Sequence, residues 1–206
     1  MLLNTFSITR EKEIPPETRV KLENEIVERA ERTINMIDNL LSWTREQLKG
    51  ESAMPEKFSP RSLADDILNH EIESRKLEKV NLKNNILETL SVVGDKNVMH
   101  LVFRNLINNS LKFTPPEGTI ETRGEIQNNH YLFSVKDTGE GISKEGFDKI
   151  LKQTESFSIK GLNGESGTGL GLMLSRFFLR KKNGDIWFES ELNKGTTFYF
   201  TLPKEK

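Results

Sequence analysis

The first 50 residues carry one regular spacing of apolar side chains. From about Glu17 to Lys49, apolar residues recur at seven-residue steps: Val20, Val27, Ile34, Leu41 and Leu48. Most of the intervening positions of the repeat are filled by Ala30, Ile37 and Thr44. A stripe of this period over about four repeats is typical of a helix that packs against other helices. The pattern therefore predicts one long helix, which Gly50 is placed to end.

A single helix cannot bury such a stripe. The short segment 3–10 is followed by Pro15 and Pro16, so we interpret it as the end of a preceding helix and a turn. A helical hairpin that dimerises into a four-helix bundle would bury the stripe, and we favour it. The alternative is that the helix packs on the downstream domain of its own chain.

The pattern changes after Gly50. Residues 51–57 are interpreted as a linker, with a short strand at Lys57-Phe58, and residues 58–206 as a second domain. Helical patterns begin after Ser59, Asp95 and Gly169; strand-like patterns cover residues 80–86, 91–93, 120–126, 131–135, 186–192 and 196–202. Turn residues predict two hairpins, at 128–129 and 193–195. We therefore predict an α+β fold, a two-layer sandwich of a mixed, mostly antiparallel sheet with helices on one face.

Composition narrows the function classes. The chain has 206 residues, 30 Lys and Arg against 31 Asp and Glu, and no cysteine. The missing cysteines exclude disulfides, Cys-zinc sites and thiol catalysis. The net charge of -1 gives no support for nucleic-acid binding through a basic surface. No apolar run approaches the roughly 20 residues that span a bilayer, so we expect a soluble chain.

The helix after Asp95 changes character along one face. At 100° per residue this face carries, in order, Val98, Leu101, Val102, Asn105, Asn109 and Lys112. Either this end of the helix emerges into solvent, or the face looks into a polar pocket. For a pocket, an Asn oxygen suits a hard cation such as Mg²⁺, and Lys suits phosphate.

Asp137 breaks the pattern of the strand that precedes it. By parity it points the same way as Phe133 and Val135, towards the predicted core. A buried carboxylate costs several kcal/mol unless it is hydrogen-bonded. Two interpretations are open: a turn aspartate that folds back on its own backbone, or an acceptor for the amino group of a nucleobase.

Eight of the 14 glycines lie between Gly139 and Gly171. The run Gly167-Thr168-Gly169-Leu170-Gly171 opens a helix, and free N–H groups at a helix start form an anion site. A mobile loop is the alternative. The P-loop, Rossmann and protein-kinase motifs are absent from the sequence.

Three motifs taken in order identify a resemblance. Asn105-Leu-Ile-Asn-Asn109-Ser-Leu-Lys112, Asp137-Thr-Gly-Glu-Gly141 and Gly167-Thr-Gly-Leu-Gly171 resemble the N, G1 and G2 boxes of sensor histidine kinases, whose ATP-binding domain is related to gyrase B and MutL. The resemblance covers nearly all of 58–202. Residues 37–47 also resemble the second helix of the family's dimerisation domain, which favours the histidine kinase branch.

The resemblance implies a role for each matching residue. Asn109 would bind Mg²⁺ with Asn105 close by as a catalytic residue, Lys112 would contact phosphate in catalysis, and Asp137 would accept from adenine. The glycines 139 and 141 would shape the adenine pocket, and residues 167–171 (Gly167, Thr168, Gly169, Leu170 and Gly171) would bind the phosphates. The segment 143–166 would be a lid over ATP, with Phe157 and Lys160 as further ATP contacts.

One departure concerns the phosphoacceptor. The family phosphorylates a histidine on the first dimerisation helix, but no histidine precedes His70 here. His70-Glu71 imitates the acceptor motif without its proline, and we take His70 to be a solvated helix residue. Residues 1–50 are therefore interpreted as a partial dimerisation region without the acceptor, either because the chain starts after it or because the kinase has lost it.

The resemblance implies a cytoplasmic protein-histidine kinase core that binds ATP and Mg²⁺, works as a homodimer through its N-terminal helices and passes the phosphoryl group to a response-regulator receiver domain. Any membrane anchor would lie outside this chain, and nucleic acid is not an expected partner. Autophosphorylation of this chain is not expected. The alternatives are an ATPase of the same superfamily without a histidine acceptor, and a dimeric scaffold that senses nucleotide.

Overall fold

The computed structural model describes residues 55–75, 80–143 and 170–204, together with nine positions between Thr18 and Ile37. All nine positions are helical, as the heptad pattern predicts. Val20 and Ile37, two residues of the apolar stripe, are exposed in the single chain. The predicted segment 3–10, its Pro15-Pro16 turn, the helix end at Gly50 and most of the linker lie outside the described residues.

The second domain begins with a small sheet and a helix. Strand β1 (Glu56–Phe58) pairs antiparallel with β3 (Val92–Gly94), and it starts two residues before the predicted domain boundary. Helix α1 spans Pro60–Arg75. Its N-cap is Ser59, whose hydroxyl oxygen accepts from the Ser62 N–H at 3.2 Å, so the predicted Ser-Pro start is confirmed.

Within the described residues, the main sheet has five strands in the order β2-β4-β5-β7-β6. These are β2 (Asn81–Asn84), β4 (Thr119–Gln127), β5 (His130–Asp137), β6 (Ile186–Glu191) and β7 (Gly195–Pro203). Only β2 and β4 pair in parallel, and the other three pairs are antiparallel. Both predicted hairpins are present, with Asn128 and Asn193 at φ 48° and 62° in their turns. The mixed, mostly antiparallel sheet is confirmed.

The helices cover one face of this sheet. Helix α2 spans Lys96–Phe113 and α3 spans Leu170–Lys181. Phe103 of α2 lies edge-on to Phe133 of β5 and Phe200 of β7, with ring centroids 5.6 Å and 5.1 Å apart. Both strands are buried on alternate residues, which gives a single core between sheet and helices. The two-layer sandwich is therefore confirmed.

The start of α2 is fixed by one buried acid. Asp95 Oδ1 accepts from the N–H groups of Asn97 and Val98 at 3.1 Å and 3.2 Å. Its Oδ2 lies 3.3 Å from Nζ of Lys182, just beyond the end of α3. Asp95 thus caps α2, as predicted, and also ties α2 to α3. Among the described residues, no helix combines the length and apolar character needed to cross a bilayer.

Candidate functional site

The polar face of α2 lies between core and solvent. Val98 and Val102 are buried, whereas Asn105, Asn109 and Lys112 are half-buried. The predicted stripe therefore turns from apolar to polar without emerging fully into water. A half-buried row of amides and one ammonium is what the lining of a polar pocket requires, because polar groups in such a place need partners.

Asn105 joins α2 to the first turns of α3. Its amide nitrogen donates to the carbonyl of Gly171 at 3.0 Å and to the Ser175 hydroxyl at 3.1 Å. A Cβ atom on Gly171 would lie 3.3 Å from Cγ of Asn105, closer than an ordinary contact. Glycine at 171 therefore permits this approach, and two residues predicted for one site are in contact.

The next two asparagines of α2 have different surroundings. Asn108 faces the Glu71 carboxylate of α1. Within the residues that the structure describes, Asn109 makes no hydrogen bond through its side chain, so its amide oxygen can serve a ligand. Lys112 follows one turn after Asn109, on the same face of α2. Its ammonium lies 5.1 Å from the centroid of the Phe113 ring.

Asp137 is buried at the end of β5, with 4% of its surface exposed. Its Oδ1 accepts from the N–H groups of Gly139 and Thr196 at 3.0 Å and 3.1 Å. Its Oδ2 accepts from the Ser110 hydroxyl at 3.3 Å. The fold-back onto its own turn is confirmed for one oxygen, which bonds the Gly139 N–H, while the other oxygen faces α2; the nucleobase interpretation stays a prediction.

Burial and hydrogen bonding have opposite effects on the pKa of Asp137. Burial raises the pKa of this carboxyl group, while the hydrogen bonds from Gly139, Thr196 and Ser110 partly offset that rise. In the described part of the chain, Oδ2 accepts from Ser110 alone, so it retains capacity for a second donor. A buried carboxylate with one oxygen open to a donor is suited to an amino group.

The predicted glycines 139 and 141 bring the end of β5 against its neighbours. A Cβ on Gly139 would clash with the carbonyl oxygen of Phe113, the last residue of α2. Gly141 has φ 69°, and its Cβ would clash with the carbonyl of Glu191. The loop can therefore lie against both α2 and the β6–β7 turn.

Several predicted site residues lie outside the described residues: Phe157, Lys160, Gly167, Thr168 and Gly169. Leu170 is the first residue of α3, so the predicted helix start is confirmed. The first turn of α3 is therefore brought to the polar face of α2 through Asn105 and Gly171.

Four residues with hydrogen bonds in the site were not predicted: Glu71, Ser110, Ser175 and Thr196. Ser110 stands one residue after Asn109, and Thr196 follows the second hairpin turn. Ser110 is fully buried on the core side of α2. The helical period could have predicted this position from the sequence. Thr196 is 59 residues from Asp137, and no local pattern links the two.

Comparison with known proteins agrees with this geometry. The profile of the "Histidine kinase-, DNA gyrase B-, and HSP90-like ATPase" family matches residues 94–206. The adaptive-response sensory kinase SasA of Gloeothece citriformis is 39% identical over 118 residues, 54% of this chain and 28% of that protein. SasA of Rippkaea orientalis is 28% identical over 98% of this chain and 52% of its own length. The chain thus spans at most about half of these curated relatives.

Solved structures share the fold. The catalytic domain of the histidine kinase ThkA superposes with a TM-score of 0.60 at 27% identity, over 73% of this chain and 95% of that one. ThkA in complex with the response regulator protein TrrA gives a TM-score of 0.72 at 23% identity, over 99% of this chain and 57% of that one. The second likeness supports the fold alone.

Proposed function

Because this chain belongs to the histidine kinase-, DNA gyrase B- and HSP90-like ATPase family, we propose that it is the catalytic core of a sensor histidine kinase. Its domain from Gly94 to Lys206 is an ATP-binding domain. The whole protein would transfer the γ-phosphoryl group of ATP to a histidine and from there to a response regulator.

The observation that carries the proposal is the buried carboxylate of Asp137. Its Oδ1 is occupied by two backbone N–H groups, and its Oδ2 holds only the Ser110 hydroxyl among the described residues. The exocyclic amino group of adenine is the donor that this oxygen would accept from. A charged acceptor in a dry pocket rejects a base with an oxo group there, because two acceptors would then face each other.

The residues fit a magnesium ion held mainly by the nucleotide. Among the described residues there is no cluster of three or more acidic or His side chains that could hold a metal alone. Mg²⁺ is commonly bound by one or two protein oxygens together with substrate phosphates. Asn109 would supply the amide oxygen, and the ion would neutralise charge on the phosphates.

Other residues would bind the phosphates. Lys112 stands one turn beyond Asn109 on the same face of α2, where its ammonium would offset phosphate charge. Asn105 would orient the first turn of α3, so that the N–H groups around Leu170 and Gly171 face the anion. The residues Gly167, Thr168 and Gly169, and the lid residues Phe157 and Lys160, remain predictions from the resemblance.

The partners follow from the same proposal. Val20 and Ile37, two apolar residues in the described part of the heptad stripe, are exposed in a single chain, which supports a homodimer through the N-terminal helices. ThkA, whose catalytic domain resembles this one, has been solved with its response regulator TrrA. A receiver domain of that kind is the proposed recipient of the phosphoryl group.

The test is the substitution Asp137→Asn. The introduced amide can keep all three protein hydrogen bonds, since its oxygen accepts from Gly139 and Thr196 while its amino group donates to Ser110. The pocket then presents a donor where the carboxylate presented an acceptor. Titration calorimetry with Mg²⁺ should show that the wild type prefers ADP to IDP. Asp137→Asn should lose about 10- to 100-fold in ADP affinity and reverse the preference, as loss of a hydrogen bond to a charged group predicts.

Thermal unfolding without nucleotide is the control for the fold of Asp137→Asn. Unchanged ADP affinity and an unchanged preference for ADP in the variant would contradict the role of Asp137. Failure of the wild type to bind either nucleotide would contradict the proposed function itself.

A further inference from the structure

A second buried carboxylate lies on the other flank of α2. Glu71, in the last half of α1, is only 9% exposed. The amide nitrogen of Asn108 lies 2.7 Å and 3.3 Å from its two oxygens, in the amide orientation that avoids oxygen facing oxygen. The neighbouring His70 has an exposed side chain, whose Nδ1 lies 4.0 Å from Oε1 of Glu71. The Glu71 carboxylate thus points towards α2 rather than towards solvent.

The three asparagines in the second half of α2 have different surroundings. Asn105 bonds the backbone and a hydroxyl of α3, and Asn108 bonds Glu71 of α1. Asn109 follows directly, and its side chain has no hydrogen-bond partner in the described ranges. Hydrogen bonds therefore connect residues 105–108 to α3 on one side and to α1 on the other. Asn109, whose amide is open to a ligand, comes immediately after them.

We propose that Glu71 is a positioning residue for the cation-binding end of α2, acting through its hydrogen bond to Asn108. The inference rests on the proposed function, because it takes Asn109 as the Mg²⁺ ligand. Glu71 itself does not touch the nucleotide in this proposal. It keeps the Asn108 amide turned towards α1, away from the ligand face, and holds the turn of α2 from which Asn109 projects.

The physical basis is the hydrogen bond between the half-buried amide of Asn108 and the buried carboxylate of Glu71. If either partner is removed, the hydrogen bond that ties this turn of α2 to α1 is lost, and the position of the next residue, Asn109, is less well fixed. Partners outside the first coordination shell typically change metal affinity by 10- to 100-fold when they are lost.

The experiment measures ADP affinity of the full chain with Mg²⁺ and with EDTA. The ratio of the two affinities is the magnesium increment, and a purely structural defect would lower both affinities together. We expect Glu71→Ala to reduce this increment by about tenfold, at the low end for an indirect partner, with little change in EDTA. Glu71→Gln keeps an acceptor for Asn108 and should retain most of the increment. Asp66→Ala, which removes an exposed acid of the same helix, should behave as wild type.

A double-mutant cycle assigns the effect to the hydrogen bond. Asn108→Ala should lower the increment like Glu71→Ala, and the double variant should be no worse than either. If Glu71→Ala fails to fold in thermal unfolding, Asn108→Ala and Glu71→Gln carry the same test.

The inference is overturned if Glu71→Ala leaves the increment unchanged, if it lowers affinity equally in Mg²⁺ and EDTA, or if the two single effects add. It is also overturned if Glu71→Gln loses as much as Glu71→Ala, because charge and not hydrogen bonding would then be responsible. A wild type that binds ADP with no magnesium increment would remove Asn109 as ligand, and the proposed Mg²⁺ site would fail before Glu71 is tested.

Discussion

Asp137 illustrates how its neighbours decide what one residue can do. Three donors, from Ser110, Gly139 and Thr196, keep a carboxylate in a place with almost no access to water. These bonds stabilise the ionised form, yet burial outweighs them and the pKa of Asp137 is raised. Without ligand, keeping this carboxyl group ionised therefore costs free energy of folding. A hydrogen bond from the amino group of a bound base would reduce that cost.

The raised pKa gives a pH dependence with a definite sign. Between its unfolded pKa, near 3.9, and the higher folded pKa, Asp137 binds more protons in the folded state. Its contribution to stability is present at low pH and is lost as the pH rises through the folded pKa. The free energy of unfolding of the wild type should therefore fall relative to that of Asp137→Asn as the pH is raised from about 4 towards 7.

Urea unfolding of both proteins without nucleotide, at several pH values, measures this difference. Other carboxyl groups titrate in both proteins and cancel. A difference that stays constant with pH, or that grows in favour of the wild type, would contradict the raised pKa.

Side-chain orientation along one element could be predicted from the sequence, but contacts between distant elements could not. Strand parity predicted that Asp137 faces the core, and the helical period predicted the shared face of Asn105, Asn109 and Lys112. The bonds from Asp137 to Thr196 and from Asn105 to Ser175 join residues 59 and 70 positions apart. No local spacing encodes such pairs, which is also why Glu71 was considered only together with His70.

At the scale of elements, the sequence predicted where helices begin and end better than it predicted which strands pair. Asp95 and Phe113 bound α2 as the sequence predicted, since a cap acts on the N–H groups next to it. The parallel pairing of β2 with β4 depends on residues far apart in the chain, as does the pairing of β1 with β3. Neither pairing could be predicted, because the hydrophobic pattern indicates only which segments are strands and not which strands are neighbours.

The junction of α2 and β5 makes a prediction about Gly139. The end of β5 approaches the last carbonyl of α2 so closely that the Glu140 N–H lies 3.3 Å from the Phe113 oxygen. Gly139→Ala would force its Cβ into that backbone oxygen, and we expect a loss of about 1–3 kcal/mol of stability, together with ADP affinity.

Gly94→Ala is the matched control, because its Cβ would meet only Val92 Cγ1 at 3.8 Å, an ordinary contact. Chemical denaturation and ADP titration of both variants decide the matter. Equal stability of the two variants would show that the two elements can separate without loss.

At the scale of the whole molecule, the proposed ATP site and the helix stripe are separate in sequence, and the proposed kinase reaction would need both. The residues of the proposed site lie within 94–206, the range that the family profile matches, while the heptad stripe lies before Gly50. The acceptor of the family belongs to the helical part, yet no histidine precedes His70. His70 has a side chain 79% exposed on α1, without the proline that follows an acceptor histidine.

These facts predict catalysis in trans. With γ-labelled ATP and Mg²⁺, the chain alone should acquire no acid-labile phosphate. A separate fragment that carries the dimerisation helices of a related sensor kinase, with its histidine, should become labelled, because the pocket supplies bound nucleotide and the fragment supplies the nucleophile. Asn109→Ala should abolish this label, whereas Asp66→Ala should not. Label on the chain itself would contradict the absence of an acceptor, steady ATP turnover without label would favour an ATPase, and dimers without either activity would favour a scaffold.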